Sequence, residues 1–501
     1  MSITLNPSVS VKSNNAVRLF IGLALSLLSG LMLTAAFAPY NAWPLVFVAF
    51  IPLIIAQFRV MPAKQTSLSP AVFIATFLYL YFGPSFFVGG FMLALPAIGF
   101  LINLLAEKKL RQFHEDTRYR WFVVYGVVNW VGFEMVRTFI PGIATWGFVN
   151  YTLYSQTWLI QPVSIVGIYG LSLLIMFINY ALGQFLLVKF DSRWQLDDVP
   201  VISEKSTRRW LWGAGIATAL WVAVSLVQFA SAPENVETVR VAAIQLGEEE
   251  VAFSHPDMDA NARFTTLANL SRDAAAQGAQ IISWSELALP FDPQQEFTVE
   301  LKALAAETNA YLVLPYGVFE ENGLRNEVVM LSPEGEFSEP YAKAHPVLFA
   351  GEPYGLNVGS YPVYETPLGT LASIICYDLN YTDITRKMAQ QGAQIIAAPS
   401  SDWAGIAEKQ NLHLVFRAIE TRTSIVNSEK AFDSAIVDPY GRILEETISL
   451  EPTQAILVQD VPLGSANSFY LKIGDLFGWL ALAGTAFFTF FSKKLVEMQE
   501  K

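Results

Sequence analysis

Residues 371–378 read Leu-Ala-Ser-Ile-Ile-Cys-Tyr-Asp, an apolar run that ends on Cys376, the only cysteine in a chain of 501 residues. The run predicts a buried strand that hands its last side chain to a cleft. A lone thiol in that place reads either as a small buried hydrophobe or as a nucleophile. Two more chemically capable residues follow predicted strands upstream: Glu286, in Trp-Ser-Glu after the apolar run 279–283, and Lys343, in Tyr-Ala-Lys-Ala-His. A carboxylate, an ammonium and a thiol, each at the end of a strand, form a set.

Working outward, short apolar runs at 239–246, 280–283, 311–315, 326–331, 371–376, 394–398 and 423–427 alternate with helical stretches near 258–277, 297–308, 380–391 and 408–421. Strands alternating with helices predict a layered α/β domain. Asp438-Pro-Tyr-Gly441 and Ser332-Pro-Glu-Gly335 read as hairpin turns. The domain spans 231–472, long enough to bury a full core.

The chain on either side of that domain is of another kind. Hydrophobic residues make up 53% and charged residues 15% of the whole, against roughly 45–50% and 25% in ordinary soluble domains. Apolar runs long enough to cross a bilayer lie near 17–38, 42–58, 70–87, 88–106, 119–138, 161–188, 210–230 and 473–491. The expectation is an α-helical transmembrane bundle of eight helices, seven in a membrane domain over 1–230 and one in 473–501. The stretch 70–106 is divided because Gly83-Pro84 and Gly89-Gly90 break helices. Thr34-Ala-Ala-Phe-Ala38 resembles a signal-peptidase site, but the preceding apolar run is too long for an h-region and another span follows at once.

Basic residues supply an independent count. Lys12 and Arg18 precede the first span, Arg59 and Lys64 follow the second, and Lys108, Lys109, Arg111, Arg118 and Arg120 follow the fourth. Lys189, Arg193, Lys205, Arg208 and Arg209 separate the sixth from the seventh, Lys493, Lys494 and Lys501 end the chain, and the connections at 39–41, 87–88 and 139–160 carry no Lys or Arg. Because Lys and Arg collect in short cytoplasmic loops, both termini are expected in the cytoplasm and the α/β domain outside it.

The net charge of −12 is concentrated in the α/β domain, which argues against nucleic acid as a partner. The four histidines, His114, His255, His345 and His413, have no metal-ligand spacing, so no metal or other cofactor is expected. Glu134 and Arg137, three residues apart near the end of the fifth span, read either as an intramembrane functional pair or as an intrahelical ion pair. The segment from Pro141 to Trp146, followed by Tyr151, Tyr154 and Trp158, has the aromatic composition of a membrane interface.

The order Glu, Lys, Cys, with the strings ICYD, APSSDW, RAIETRTSIV and DPYGRIL, resembles the nitrilase, or carbon-nitrogen hydrolase, superfamily and implies its α-β-β-α sandwich. Helices before and after such a domain, with LTAAFAPYNAWPLVFVAFIPLI, LIQPVSIVGIYGLSLL and SFYLKIGDLFGWLALA, resemble the apolipoprotein N-acyltransferases of the bacterial inner membrane. The resemblance implies Cys376 as nucleophile, Glu286 as general base and Lys343 as stabiliser of the tetrahedral oxyanion, roles suited to a thiol that is mostly protonated at neutral pH. It further implies Glu352 as the glutamate that orients the lysine, and Tyr377 and Asp378 as supporting residues where the family carries Tyr-Glu. Trp403 reads as a substrate-loop aromatic or as core packing. Three departures stand out: the loop from Lys343 to Glu352 is one residue longer than the family pattern, and Ser400-Ser-Asp-Trp403 and Asn427-Ser-Glu-Lys430 replace the usual acyltransferase strings.

These residues imply an acyltransferase whose partners are a phospholipid acyl donor and a diacylated apolipoprotein acceptor, joined through a cysteine thioester. The competing expectations are a membrane-bound amidase that uses water with the same triad, and a catalytically silent lipid-binding relative.

Overall fold

A computed structural model describes residues 15–83, 89–140, 142–194, 200–233, 236–247 and 259–500. Lys12, Pro84, Pro141, His255 and Lys501, which figure in the sequence reading, lie outside the described residues, as do 87–88. Contacts divide the chain into two compact units, one built from Met1–Gly126, Met176–Ala214 and Phe488–Lys501 and the other from Val127–Ile175 and Gly215–Phe487.

Among the described residues, five helices are long and apolar enough to cross a membrane: Asn15–Ala36, Trp43–Val60, Val163–Arg193, Glu204–Ala230 and Leu476–Met498. The other three segments read as spans hold the helices Leu68–Phe82, Gly89–Ala106 and Phe122–Arg137, of 15, 18 and 16 residues. At 1.5 Å per residue, the first and last of these fall short of a hydrocarbon layer roughly 30 Å thick. Gly89 opens a helix where the sequence reading had Gly89-Gly90 interrupt one.

In the first unit, backbone irregularity is met by side chains from neighbouring helices, as a medium without water demands. Trp43–Val60 changes from a 3-10 turn to α-helix to π-helix. At the first change Phe50 N–H donates to Asn179 Oδ1 at 3.2 Å, and Asn179 Nδ2 donates to Val46 O at 2.8 Å. Arg59, at the end of that span, donates to both oxygens of Asp191 at 2.5 and 2.9 Å.

The second unit contains two six-stranded mixed sheets. The first has the order β12-β1-β2-β3-β4-β5, from β1 (Thr238–Leu246), β2 (Ile281–Ser283), β3 (Tyr311–Glu320), β4 (Gly323–Leu331), β5 (Tyr341–Ala342) and β12 (Gln454–Pro462). The second has the order β11-β10-β9-β8-β7-β6, from β6 (Val363–Thr366), β7 (Gly369–Ser373), β8 (Ile395–Pro399), β9 (Ser424–Ser428), β10 (Ala435–Val437) and β11 (Ile443–Glu446). Each has three parallel strands at its centre, β1-β2-β3 and β7-β8-β9, with antiparallel strands outside them. The sheets pack through β1 against β9 and β12 against β10.

Because side chains alternate along a strand, Ala242, Ile244 and Leu246 of β1 share a core with Leu267, Leu270, Leu301 and Leu304 from the helices Ala260–Ala276 and Thr298–Thr308. Val239, Val241 and Ala243 are buried too, so the strand is covered on both faces and reads as a continuous apolar run. The helices Asp383–Gln390 and Ala407–Thr421 follow β7 and β8.

Val127–Ile175 belongs to this second unit. The Val163–Trp194 helix is interrupted at Gly167, with φ 67° and ψ 179°. A Cβ there would lie 2.7 Å from the Tyr470 ring, so both conformation and space require glycine. The break leaves Ile168 N–H free of its helix, and it donates to Glu420 Oε1 on the Ala407–Thr421 helix at 2.9 Å.

Candidate active site

The run at 371–376 is a strand only to Ser373. Ile374 N–H still donates to Ala397 O of β8, then the chain turns into the 3-10 segment Cys376–Asn380, and Cys376 has φ 45°. A non-glycine residue in the left-handed region costs about 1–3 kcal/mol and is kept only where its surroundings hold it. Here Gln410 Nε2 donates to Cys376 O at 3.1 Å, and Asp378 Oδ2 accepts Ile375 N–H at 3.2 Å. Asp378 is fully used as a staple: Oδ2 also accepts Tyr341 O–H at 2.6 Å, and Oδ1 accepts His345 N–H at 2.9 Å. Tyr341 and His345 flank Lys343, so one carboxylate ties the cysteine turn to the lysine segment.

Glu286, Lys343 and Glu352 come together with their side chains buried. Lys343 Nζ donates to Glu286 Oε1 at 2.9 Å and to Glu352 Oε2 at 2.8 Å, with side chains 1% exposed on all three. Asn326, on β4, closes the group: its Nδ2 donates to Glu286 Oε1 at 2.7 Å and to Glu352 Oε1 at 2.9 Å. Glu352 Oε2 also accepts Val347 N–H at 2.7 Å, so the longer loop still delivers this glutamate. Burial opposes the charge of Lys343, but Glu286 and Glu352 beside it win and hold its pKa well above the usual lysine value. Burial raises Glu352, with Lys343 opposing and Glu286 adding to the rise; two carboxyls sharing one ammonium leave one of them under-compensated.

The Cys376 thiol is 4% exposed. Burial first, then the charges of Glu286 and Asp402, push its pKa well above the ordinary thiol value, against the pull of Lys343. It rests as a protonated thiol that needs a base to become a nucleophile. Its hydrogen goes to Asp402 Oδ1 at 3.6 Å. Asp402, in the loop after β8, accepts from Cys376 and donates its own N–H to Glu429 Oε2 at 3.0 Å. Burial pushes Asp402 up to about 6, and burial with the neighbouring Asp402 charge holds Glu429 well above its usual value.

Tyr377 is buried, with its ring 6.2 Å from Phe349 and 5.5 Å from Tyr381. Trp403 is half-buried in the turn that leads into the Ala407–Thr421 helix, its carbonyl accepting Ile406 N–H at 2.9 Å. Glu134 and Arg137 both reach the following loop: Glu134 Oε1 accepts Val149 N–H at 3.0 Å, and Arg137 donates to Trp146 O and lies over the Phe148 ring at 5.2 Å. That loop meets the far end of the cysteine turn, where Thr145 Oγ1 donates to Asn380 O at 2.7 Å and the Asn380 amide contacts His413 Nε2 at 3.0 Å. Burial, aided by Arg417, holds His413 well below its usual pKa.

Sequence reading did not select Asn326, Tyr341, Asp402, Glu429 or Thr145. Asp402 and Glu429 stand inside the two strings that depart from the acyltransferase pattern, which was the available signal.

The carbon-nitrogen hydrolase family matches residues 240–470, and the apolipoprotein N-acyltransferase N-terminal domain matches residues 29–181. An apolipoprotein N-acyltransferase of Geobacter metallireducens is 26% identical over 92% of this chain and 93% of its own length. One from Rhodopseudomonas palustris is 24% identical over 90% and 91%. Among solved structures, an amidase from Nesterenkonia sp. is similar at 21% identity, covering 46% of this chain and 93% of its own, with a TM-score of 0.38.

Proposed function

We propose that this chain, which belongs to the apolipoprotein N-acyltransferase family within the carbon-nitrogen hydrolase superfamily, moves a fatty acyl group from a membrane phospholipid, through a thioester on Cys376, to the α-amine of a diacylglyceryl-cysteine at the N-terminus of an apolipoprotein. The observation that carries the reading is a buried ammonium, Lys343, shared by two carboxylates and electrostatically coupled to a buried thiol, in a chain with long apolar helices before and after that site.

Glu286 takes the Cys376 proton and the thiolate attacks the ester carbonyl. The oxyanion draws on the positive charge of Lys343, which Glu352 and Asn326 hold in one orientation. As the tetrahedral intermediate collapses, Glu286 returns the proton to the departing lysophospholipid oxygen. The thioester then meets the amine, whose attack regenerates the thiol. Tyr377 and Asp378 support the turn, and Trp403 lines the acceptor side. Burial of the thiol favours an amine over water as the second nucleophile.

In this reading the chain is a multi-pass inner-membrane protein with eight spans, residues 1–230 and 473–501 in the bilayer and cytoplasmic at both termini. Residues 231–472 form an α-β-β-α catalytic domain on the extracytoplasmic face. Tethering on both sides suits an enzyme whose two substrates are lipid-anchored, since it raises their effective concentration at the site.

The test is intact-mass measurement of the purified protein after exposure to phosphatidylethanolamine. A hydroxylamine-sensitive acyl adduct on Cys376 that a diacylated lipopeptide discharges to triacylated product is the expected result. Cys376→Ala removes the adduct, and Glu286→Gln slows its formation by about a hundredfold or more, the scale of a lost general base. An adduct consumed only by water would make the protein a lipid hydrolase and overturn the reading.

A further inference from the structure

Three features beside Cys376 are not used by the steps above. The thiol hydrogen points to Asp402 Oδ1 at 3.6 Å, not to the Glu286–Lys343 group. Asp402 Oδ2 and Glu429 Oε1 are buried and accept no N–H or hydroxyl hydrogen among the described residues; the two residues are adjacent, with Asp402 N–H donating to Glu429 Oε2 at 3.0 Å, and burial raises the pKa of both carboxyls. Their burial is deep, with Asp402 7% and Glu429 1% exposed.

The groups that act on Asp402 include Glu429, Glu286, Lys343 and Cys376, and Asp433 is a further acid within its field. Both hydrogen bonds of the Lys343 ammonium given above go to Glu286 and Glu352. Lys430 is buried next in sequence, and its backbone N–H donates to Glu429 Oε2 at 3.2 Å. A pair of adjacent buried acids, each with an oxygen that lacks a donor among the described residues, is a site for a group bringing its own positive charge and N–H donors. The family reaction, as read above, has one such group, the primary ammonium of the acyl acceptor.

We infer that Asp402, backed by Glu429, binds the primary ammonium of the acyl acceptor beside the Cys376 thioester and takes its first proton. The inference rests on the reading of Cys376 as the acyl carrier. Once the sulfur is acylated, its hydrogen is gone and Asp402 Oδ1 is free to accept an ammonium N–H. The ammonium gives one proton to the acid pair and becomes a neutral amine. The amine lone pair attacks the thioester carbonyl carbon, forming the C–N bond; the second nitrogen proton passes to Glu286 and on to the departing sulfur as the C–S bond breaks. The products are an amide and a thiol, and the proton on the acid pair leaves to water. The acid pair thereby selects for an ammonium, a property that the Glu286–Lys343 group alone does not provide.

The experiment starts from full-length protein acylated with phosphatidylethanolamine vesicles, freed of donor, and divided at neutral pH. One half is discharged with a diacylated lipopeptide, whose α-amine is largely protonated; the other is discharged with hydroxylamine, which is largely neutral. Taking the ratio of the two rates removes any effect of a substitution on acylation. Asp402→Asn is expected to lower the lipopeptide-to-hydroxylamine ratio by about tenfold or more, the equivalent of one charged hydrogen bond. Glu429→Gln should lower it by a smaller factor, and Asp402→Glu should recover part of the loss. An unchanged ratio in Asp402→Asn overturns the inference while leaving the acyl-transfer reading intact. If Asp402→Asn fails to fold, Glu429→Gln decides by the same ratio. A wild-type protein that takes up no acyl group would overturn both.

Discussion

Two groups of buried carboxyls lie near the same thiol and are balanced by different means. Glu286 and Glu352 hold an ammonium between them, with Asn326 donating to both. Asp402 and Glu429 are pushed toward the protonated form by burial and by the carboxylates beside them. The first group is tied together by four hydrogen bonds, two from Lys343 and two from Asn326, and contributes to the stability of the fold. The second keeps two buried oxygens, Asp402 Oδ2 and Glu429 Oε1, without N–H or hydroxyl partners among the described residues, at a cost to stability. Charge balance by a lysine gives a fixed geometry; charge balance by a proton leaves a place that another cation can take.

The largest effect that would separate the groups is on stability. Lys343→Met leaves two buried carboxylates without their ammonium, so the protein should lose about 3–5 kcal/mol, the cost of breaking a buried pair from one side. Chemical denaturation in detergent reads this directly, and a loss under about 1 kcal/mol would mean that the group is not the ion-paired unit described.

Asp402→Asn should have the opposite sign. The carboxyl lies near 6 in the folded protein against an ordinary 3.8, so the folded state binds more protons between those values, and stability falls as pH rises through that window. The penalty is complete above about pH 6 and absent below the ordinary value. The substitution should therefore stabilise the protein at pH 8, by at most about 3 kcal/mol from a shift of two units, with the gain shrinking as pH falls below 6. Thermal melts of both proteins at pH 4.5 and 8 test it; a variant destabilised at pH 8 would show that Asp402 is a stabilising partner after all.

The smallest expected effect concerns the far end of the cysteine turn. Thr145→Val removes the hydrogen bond to Asn380 O, so it should lower stability by only about 1 kcal/mol while slowing acyl-adduct formation severalfold. An effect on stability with no change in rate would mean that the loop braces the domain without shaping the turn.

How much of this is legible in the residues follows from local versus distant causes. Glu286, Lys343 and Cys376 follow apolar runs, and a run announces itself over five residues. Asn326 does not: a single asparagine at the start of the apolar end of β4 looks like an ordinary alternation of polar and apolar positions. Asp402 and Glu429 sit in loops after β8 and β9, and only the parallel pairing of those strands brings them together. β12 was missed because its partner is β1, joined in register from Thr238↔Pro462 to Leu246↔Gln454, a pairing between the two ends of the domain. The strand proposed to end on Cys376 stops at Ser373 instead, since the left-handed turn that aims the thiol needs hydrogen bonds from Asp378 and Gln410. No window around residue 376 contains Gln410.

The interruption at Gly167 has a consequence for helical phase. An unbroken α-helix advances by about 100° per residue, so the direction of every side chain is set by the first. At Gly167 that arithmetic is reset: residues before the break and residues after it face their surroundings independently. The stretch of apolar sequence after the break can keep whichever stripe its neighbours require, while Ile168 N–H is spent on Glu420. Inserting one residue before Gly167 would leave the later stripe in phase, whereas inserting one after it would rotate the rest of the helix by more than a quarter turn, about 100°.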